Sequence, residues 1–208
     1  MTLSRSRLWL LFPLIVATLL ATTGRAEAGP ILSSATECDA ETLEQPFLRW
    51  GDPARYFLVP NGTFSRGADG WQGSAAQVVA ENQPYSSHAS EGLASLRIPV
   101  GTSVTSPAVC IGIEHPTMRF FARGDGSLLD VLTVEVLFED AGGTVHALPI
   151  GVVGGAAEWR PSAQMPLLVN FLALLPGERT AVAFRFTARG ANGAFDIDDV
   201  YVDPYYKG

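Results

Sequence analysis

The 208-residue sequence predicts an all-β sandwich or barrel. Residues 131–139 alternate between apolar and polar side chains, which is the period of a strand with one buried face. The four residues that follow, Asp140-Ala141-Gly142-Gly143, have the chemistry of a tight turn, so residues 144–150 are expected to return as the second strand of a hairpin. Connecting segments elsewhere are rich in Gly, Pro, Asn and Asp, which is typical of antiparallel β-proteins.

Other strand candidates follow in order along the chain: residues 75–79, 94–100, 106–110, 118–123, 167–174, 181–187 and 194–202. The alternation is clear in residues 181–187, where Val182, Phe184 and Phe186 are expected to face inward. Residues 40–50 favour a short helix, because Leu43 and Phe47 lie four residues apart. No longer window carries a helical stripe of apolar side chains, so strands dominate the prediction.

The first 28 residues have the order of a secretory signal. Arg5 and Arg7 precede an uncharged apolar run, residues 8–20, and the small residues of Ala26-Glu27-Ala28 follow it. We expect cleavage after Ala28 and a secreted or extracytoplasmic product, with an uncleaved anchor as the alternative. The apolar run is shorter than the ~20 residues that span a bilayer. The mature chain is therefore expected to have no transmembrane segment.

The charge balance argues against a nucleic-acid partner. The chain has 14 Lys and Arg against 21 Asp and Glu, a net charge of -7. Removing residues 1–28 leaves 11 basic and 20 acidic residues, a net charge of -9. Phosphate binding needs a positive surface, which this composition does not supply.

The two cysteines, Cys38 and Cys110, are expected to form a disulfide in an exported chain. Two separate buried thiols are the alternative. The bond would stabilise the fold by about 4 kcal/mol, because it closes a long loop. It would also pin an irregular N-terminal arm, residues 29–58, onto a sandwich domain, residues 59–208. The arm is rich in aromatic and apolar side chains, so we expect it to pack on the domain and not to behave as a linker.

Two short motifs carry a family resemblance. The first is Val59-Pro60-Asn61-Gly62-Thr63-Phe64, followed by Gly70-Trp71, and the second is the strand 195–202, which contains Asp198-Asp199-Val200. The chain resembles the galactose-binding-like jelly-roll, the fold of many carbohydrate-binding modules of secreted bacterial glycoside hydrolases. The resemblance implies a jelly-roll β-sandwich and an exported bacterial protein that binds carbohydrate of a cell wall or an environmental polymer without catalysis.

A structural calcium is the one cofactor that the resemblance implies. Family members often hold this ion between an opening Glu and a closing Asp, but Ser65 follows Phe64 here. The remaining candidate ligands are Asp198 and Asp199, together with the backbone around Asn61. A solvated strand end is the alternative interpretation of the two aspartates.

Sugar binding requires exposed aromatic rings beside hydrogen-bonding groups. The candidate rings are Trp50, Trp71, Tyr85 and Trp159. Trp71 is expected in the core, whereas Trp159 follows a probable glycine-rich loop and is the better candidate for exposure. Outward strand positions add Arg97, Arg119, Glu135 and Arg185, which would form one polar stripe if their strands are neighbours. A cross-strand salt-bridge ladder is the alternative. From these sets we select Trp159, Tyr85, Arg119, Glu135 and Arg185 as the ligand-binding candidates.

Catalysis is not favoured by any motif. His88 follows two serines, but no nucleophile-elbow pattern surrounds it. Glu135 and Glu139 share a strand face about 13 Å apart, given a rise of ~3.3 Å per residue. Paired glycosidase carboxylates lie ~5–9 Å apart. The leading hypothesis is therefore a non-catalytic carbohydrate-binding module. A structural or protein-interaction domain of the cell envelope is the second hypothesis, and a hydrolase with an unrecognised site is the third.

Overall fold

Two antiparallel sheets pack face to face in the computed structural model, which describes residues 42–85, 93–125, 127, 129–140, 143–168 and 179–204. The strands are β1 (Phe57–Leu58), β2 (Gln77–Val79), β3 (Ser95–Pro99), β4 (Ser103–Thr105), β5 (Val109–Ile111), β6 (Thr117–Gly124), β7 (Val131–Glu139), β8 (Val145–Gly154), β9 (Arg160–Pro161), β10 (Met165–Pro166), β11 (Thr180–Arg189) and β12 (Ala194–Asp203). The predicted all-β sandwich is confirmed.

Each sheet is built around one long C-terminal strand. In the seven-stranded sheet the order is β10-β6-β12-β3-β2, with β1 also paired to β12 and β9 to β6. In the five-stranded sheet the order is β4-β11-β7-β8, with β5 also paired to β11. Because β11 and β12 are consecutive in the chain but lie in opposite sheets, the connection at residues 190–193 crosses from one layer of the sandwich to the other.

The main core lies between the two sheets and follows the predicted alternation. Val182, Phe184 and Phe186 of β11 are fully buried, as are Leu132 and Val134 of β7. From the other sheet, β3, β6 and β12 contribute further apolar residues: Leu96, Ile98, Met118, Phe120, Phe195 and Ile197. Burial of these side chains is the main source of the sandwich's stability, at about 1.5–3 kcal/mol for each large apolar side chain. Trp71 belongs to this core, as predicted.

A second aromatic cluster covers part of the outer face of the seven-stranded sheet. It consists of Phe47, Tyr56, Phe121, Trp159 and Tyr201. The N-terminal arm reaches this face as a narrow loop, closed by backbone hydrogen bonds in both directions between Glu44 and Tyr56. Phe47 and Tyr56 of this loop are buried against the sheet, so residues 42–58 form part of the domain's packing.

The helix predicted over residues 40–50 is wrong for the described part of that range. Only a three-residue 3-10 turn, Leu48–Trp50, is present there, and it ends at Gly51 with a left-handed φ of 78°. Leu43 and Phe47 do not share one face of a helix, because their side chains reach different clusters. Phe47 is buried in the outer aromatic cluster, whereas Leu43 packs against the main core.

Several predictions fall outside the described residues. These include the signal sequence, Cys38, His88 and most of the predicted strand 167–174. Cys110 lies half-buried on β5. The disulfide and the signal peptide stay predictions. Among the described residues, no helix is long and apolar enough to span a bilayer.

Candidate functional site

The predicted polar stripe is wrong, because its members lie on opposite sheets. Arg97 is on β3 and Arg119 on β6, both in the seven-stranded sheet, whereas Glu135 is on β7 and Arg185 on β11 in the other sheet. Glu135 and Arg185 stand opposite each other in register, and Arg185 Nε lies 2.8 Å from Glu135 Oε2. That pair is therefore a cross-strand salt bridge, which is the alternative interpretation of these positions.

Arg119 holds the arm in place and is buried, which contradicts its prediction as an outward ligand-binding residue. Its Nη1 donates to Asp52 Oδ2 at 2.6 Å, and its Nε and Nη2 donate to the carbonyl of Ser162 at 3.0 and 2.7 Å. Its guanidinium lies 4.3 Å from the ring centroid of Phe47. Burial alone would raise the pKa of Asp52, but hydrogen bonds from Tyr56 and Arg119 outweigh that effect and lower it. We call the Arg119–Asp52–Ser162 group the arm clamp.

Trp159 is also buried, so its predicted exposure is wrong. Only 9% of its surface is exposed, and the guanidinium of Arg123 lies 5.1 Å from its ring centroid. The reason is that Trp159 directly precedes β9, whose pairing with β6 draws the indole into the outer aromatic cluster beside Phe121. The preceding glycines predict a loop but carry no information about this short strand.

An exposed aromatic platform lies beside this cluster. Trp50 and Tyr85 meet edge to face with ring centroids 5.2 Å apart, and both pack against Phe121, at 5.4 and 6.1 Å. The guanidinium of Arg49 lies about 5 Å from both ring centroids. Trp50 is 37% exposed, and Tyr85 is partly exposed. We define the platform as Arg49, Trp50, Tyr85 and the Phe121 ring beneath them.

Two separate segments deliver the platform rings. Trp50 ends the 3-10 turn, which Gly51 closes by donating its N–H to the Leu48 carbonyl at 3.0 Å. Tyr85 is the last residue of the segment 81–85. Gln83 fixes this segment by donating hydrogen bonds to two buried carboxyl groups of β12. The Gln83 backbone N–H donates to Asp198 Oδ2 at 3.1 Å, and its side-chain amide donates to Asp199 Oδ2 at 2.8 Å. The platform thus depends on the arm clamp on one side and on this tether on the other.

A charged network adjoins the platform on the same face. Arg97 and Arg123 both bind Asp196, which is only 2% exposed. Arg123 also binds the carboxylate of Glu81 through both terminal nitrogens. Arg123 stands two residues beyond Phe121 on β6, so its Cα lies about 7 Å along the strand from that of the platform's floor residue. Aromatic rings and planar hydrogen-bonding groups are therefore neighbours on this face.

The predicted calcium ligands are engaged with other groups of the chain. The amide nitrogen of Asn61 donates to the carbonyls of Gly67 and Asp69, both at 3.0 Å. Burial, then repulsion from Asp199, raises the pKa of Asp198 to about 9, so this carboxyl group is neutral at pH 7. Across the described residues, no three His, Cys, Asp or Glu side chains are grouped to hold a metal. The structural calcium stays a prediction.

One cavity, of about 360 Å³, opens near the end of β8. Its lining consists mainly of glycine, alanine, valine and proline, with Arg160 and Ser162 as the polar side chains. It has no aromatic lining residue, and the Ser162 hydroxyl already donates to the Ala163 carbonyl. The platform is the better candidate for a sugar, because it supplies the exposed rings that this cavity lacks.

Three of the eight residues in the platform and the charged network follow from the sequence. Trp50 and Tyr85 were among the candidate rings, and Arg97 among the outward arginines. Arg123 and Glu81 were missed, because 42 positions separate them and no local pattern links them. The Arg49-Trp50 dipeptide is a signal that could have been used, since a guanidinium beside an aromatic ring is a common pair on binding surfaces.

Distant structural similarities link the chain to known proteins. No family model matches the sequence, and no curated protein matches it. Among solved structures, the chain is similar to the N-terminal CBM22-1–GH10 modules of Clostridium thermocellum endo-1,4-beta-D-xylanase 10B, solved with xylohexaose. The identity is 17% and the TM-score 0.49, over 70% of this chain and only 28% of the xylanase chain.

Two further similar structures are carbohydrate-binding modules on their own. A xylan-binding domain of CBM22 has 15% identity and a TM-score of 0.43, over 68% of this chain and 90% of that one. A family 16 carbohydrate-binding module has 14% identity and a TM-score of 0.45, over 70% of this chain and 98% of that one.

Proposed function

We propose that the protein is a non-catalytic carbohydrate-binding module that holds its ligand on the outer face of the seven-stranded sheet. The observation that carries this proposal is the platform. Two aromatic side chains from distant parts of the chain, Trp50 and Tyr85, meet on one exposed surface with an arginine beside them. A sugar ring offers an apolar C–H face and a rim of hydroxyls, so it suits aromatic rings flanked by polar groups.

The face next to the platform supplies those polar groups in fixed positions. Asp196 holds Arg97 and Arg123 by hydrogen bonds of 2.8 Å each, and Arg123 is further fixed by lying over the ring of Trp159. Pre-positioned side chains lose little conformational entropy when a ligand binds. The predicted residues Glu135 and Arg185 lie on the opposite sheet, so they take no part in this site.

Removal of either exposed ring is expected to weaken glycan binding. Trp50→Ala and Tyr85→Ala should each lower the affinity for a polysaccharide that the wild type binds by about tenfold or more, because truncating a central aromatic residue costs about 2 kcal/mol. Affinity gel electrophoresis against a polysaccharide panel measures the effect. The control is Arg185→Gln on the opposite sheet, which should bind as the wild type does. The proposal fails if the wild type binds no polysaccharide, or if only the control variant loses binding.

Export and the disulfide belong to the same proposal, since cell-wall and environmental polysaccharides lie outside the cell. We expect the secreted protein to begin at Gly29 and to join Cys38 to Cys110. Intact mass before and after reduction, with alkylation of free thiols, checks both points. A chain that retains residues 1–28, or that is alkylated at two cysteines without prior reduction, would contradict them.

A further inference from the structure

We propose, on the basis of the glycan-binding function argued above, that the ligand carries carboxylates, as uronic acid polymers do, and that Arg123 binds one of them in place of Glu81. The supporting observation is that Arg123 holds two carboxylates of different kinds. One of them is buried and shared with a second arginine, and the other is exposed.

The buried partner of Arg123 is structural. Asp196 lies on β12 and is 2% exposed, and it accepts hydrogen bonds from Arg123 Nε and Arg97 Nε, each at 2.8 Å. Removing either arginine would leave this carboxylate with one cationic partner. A ligand cannot displace Asp196, because the carboxylate is covered by the two guanidinium groups.

The exposed partner can be displaced. The side chain of Glu81 is 62% exposed, and its two oxygens accept hydrogen bonds from the two terminal nitrogens of Arg123. This fork-to-fork arrangement is the geometry in which arginine recognises any carboxylate. The hydrogen bonds from Arg123 lower the pKa of Glu81, so it competes as a carboxylate at neutral pH. A surface ion pair of this kind contributes little stability, so exchanging one carboxylate for another is not costly.

The remaining charges on this face favour an acidic ligand. Arg49 lies exposed on the platform, and the side chain of Arg97 is 46% exposed beside Asp196. Once Glu81 is displaced, the three guanidinium groups of Arg49, Arg97 and Arg123 share a single carboxylate, that of Asp196, in a chain whose net charge is -7. A neutral polysaccharide would need hydrogen-bond donors here but not this concentration of guanidinium groups.

The spacing lets one ligand use both features. Phe121 and Arg123 are on the same face of β6, about 7 Å apart along the strand. A sugar ring stacked on Trp50 or Tyr85 therefore places a substituent of its neighbour near Arg123. Glu81 and Tyr85 belong to the same short segment, which Gln83 fixes to β12. The carboxylate that Glu81 supplies thus marks where a ligand carboxylate would lie.

The test compares polygalacturonate, alginate and glucuronoxylan with the same polymers after chemical reduction of their carboxyl groups. The wild type should bind at least one acidic polymer about tenfold more tightly than its reduced form, because a charge-assisted hydrogen-bond pair is lost on reduction. Arg123→Gln should abolish that preference. Glu81→Gln should strengthen binding of the acidic form by roughly threefold or more, and by a larger factor than binding of the reduced form.

Glu139→Gln is the matched control, because it removes the same charge from an exposed position on the opposite sheet. It should leave both affinities unchanged. Equal gains from Glu81→Gln and Glu139→Gln would reduce the effect to general charge and overturn the inference, as would equal or tighter binding of the reduced polymers. If neutral polymers bind in a manner that depends on Trp50 while acidic ones have no advantage, glycan binding stands and the carboxylate inference fails. If no polymer binds, both fail.

Discussion

Replacing Arg119 with alanine is expected to lower the free energy of unfolding by about 3–5 kcal/mol, because it leaves a buried carboxylate without its cation. Asp52 and Arg119 each expose only 10% of their side-chain surface, and their closest atoms are 2.6 Å apart. The same substitution also removes both hydrogen bonds to the Ser162 carbonyl and the contact with Phe47. Urea unfolding at neutral pH, followed by tryptophan fluorescence, measures the loss.

The matched control for this prediction is Arg185→Ala in the other sheet. The Arg185–Glu135 pair has a comparable distance of 2.8 Å, but its side chains are 36% and 20% exposed. A pair of that kind contributes about 0–1 kcal/mol. Similar losses in the two variants would show that burial of the Arg119 pair is not what makes it important, and that the arm is held by other contacts.

The arm clamp also bears on binding. Arg119 contacts Phe47 and Asp52, and these residues flank the 3-10 turn that carries Trp50. Loosening the clamp therefore displaces one half of the platform while leaving Tyr85 tethered to β12. A binding defect in Arg119→Ala at temperatures where the sandwich is still folded would indicate that the arm positions the ligand site.

The fold follows from local patterns to a large extent. The period-two alternation in residues 131–139 and 181–187 identifies β7 and β11 and the faces they bury, because a strand packed on one side requires that period. Short strands such as β9 and β10 carry no such signal. Each has two residues, and each exists because a neighbouring long strand, β6, offers a free edge.

The site follows from the sequence only in part, because sheet membership is a non-local property. Arg97 on β3 and Arg185 on β11 both occupy outward positions of their strands, yet β3 belongs to the seven-stranded sheet and β11 to the five-stranded sheet. Residue type also misleads at Trp159 and Arg119. A tryptophan after glycines and an outward arginine both predict exposure, but pairing of β9 with β6 covers the first and the N-terminal arm covers the second.

The second large effect is expected in the pH dependence of stability. Burial, followed by repulsion from Asp199, raises the pKa of Asp198 to about 9, well above the value near 4 of an unfolded chain. The folded state therefore binds a proton that the unfolded state releases. Its contribution to stability is fully present below pH 4 and is lost as the pH rises from about 4 to about 9. At about 1.4 kcal/mol for each of roughly five units of pKa difference, the loss amounts to several kcal/mol.

Asp198→Asn should flatten this slope, because an amide stays neutral at every pH. The carboxyl group of Asp198 accepts hydrogen bonds from the backbone N–H groups of Gln83 and Asp199, and the amide oxygen of the variant can accept one of them. The expected result is a variant with a smaller fall in urea midpoint between pH 5 and pH 9 than the wild type. Glu139→Gln, at an exposed position, should leave the slope unchanged. A wild type whose midpoint rises over that range would contradict the neutral state of Asp198.

Asp52 acts in the opposite direction, because its lowered pKa adds stability above pH 4 that is lost as acid protonates it. Together the two groups place the pH of greatest stability on the acid side of neutrality.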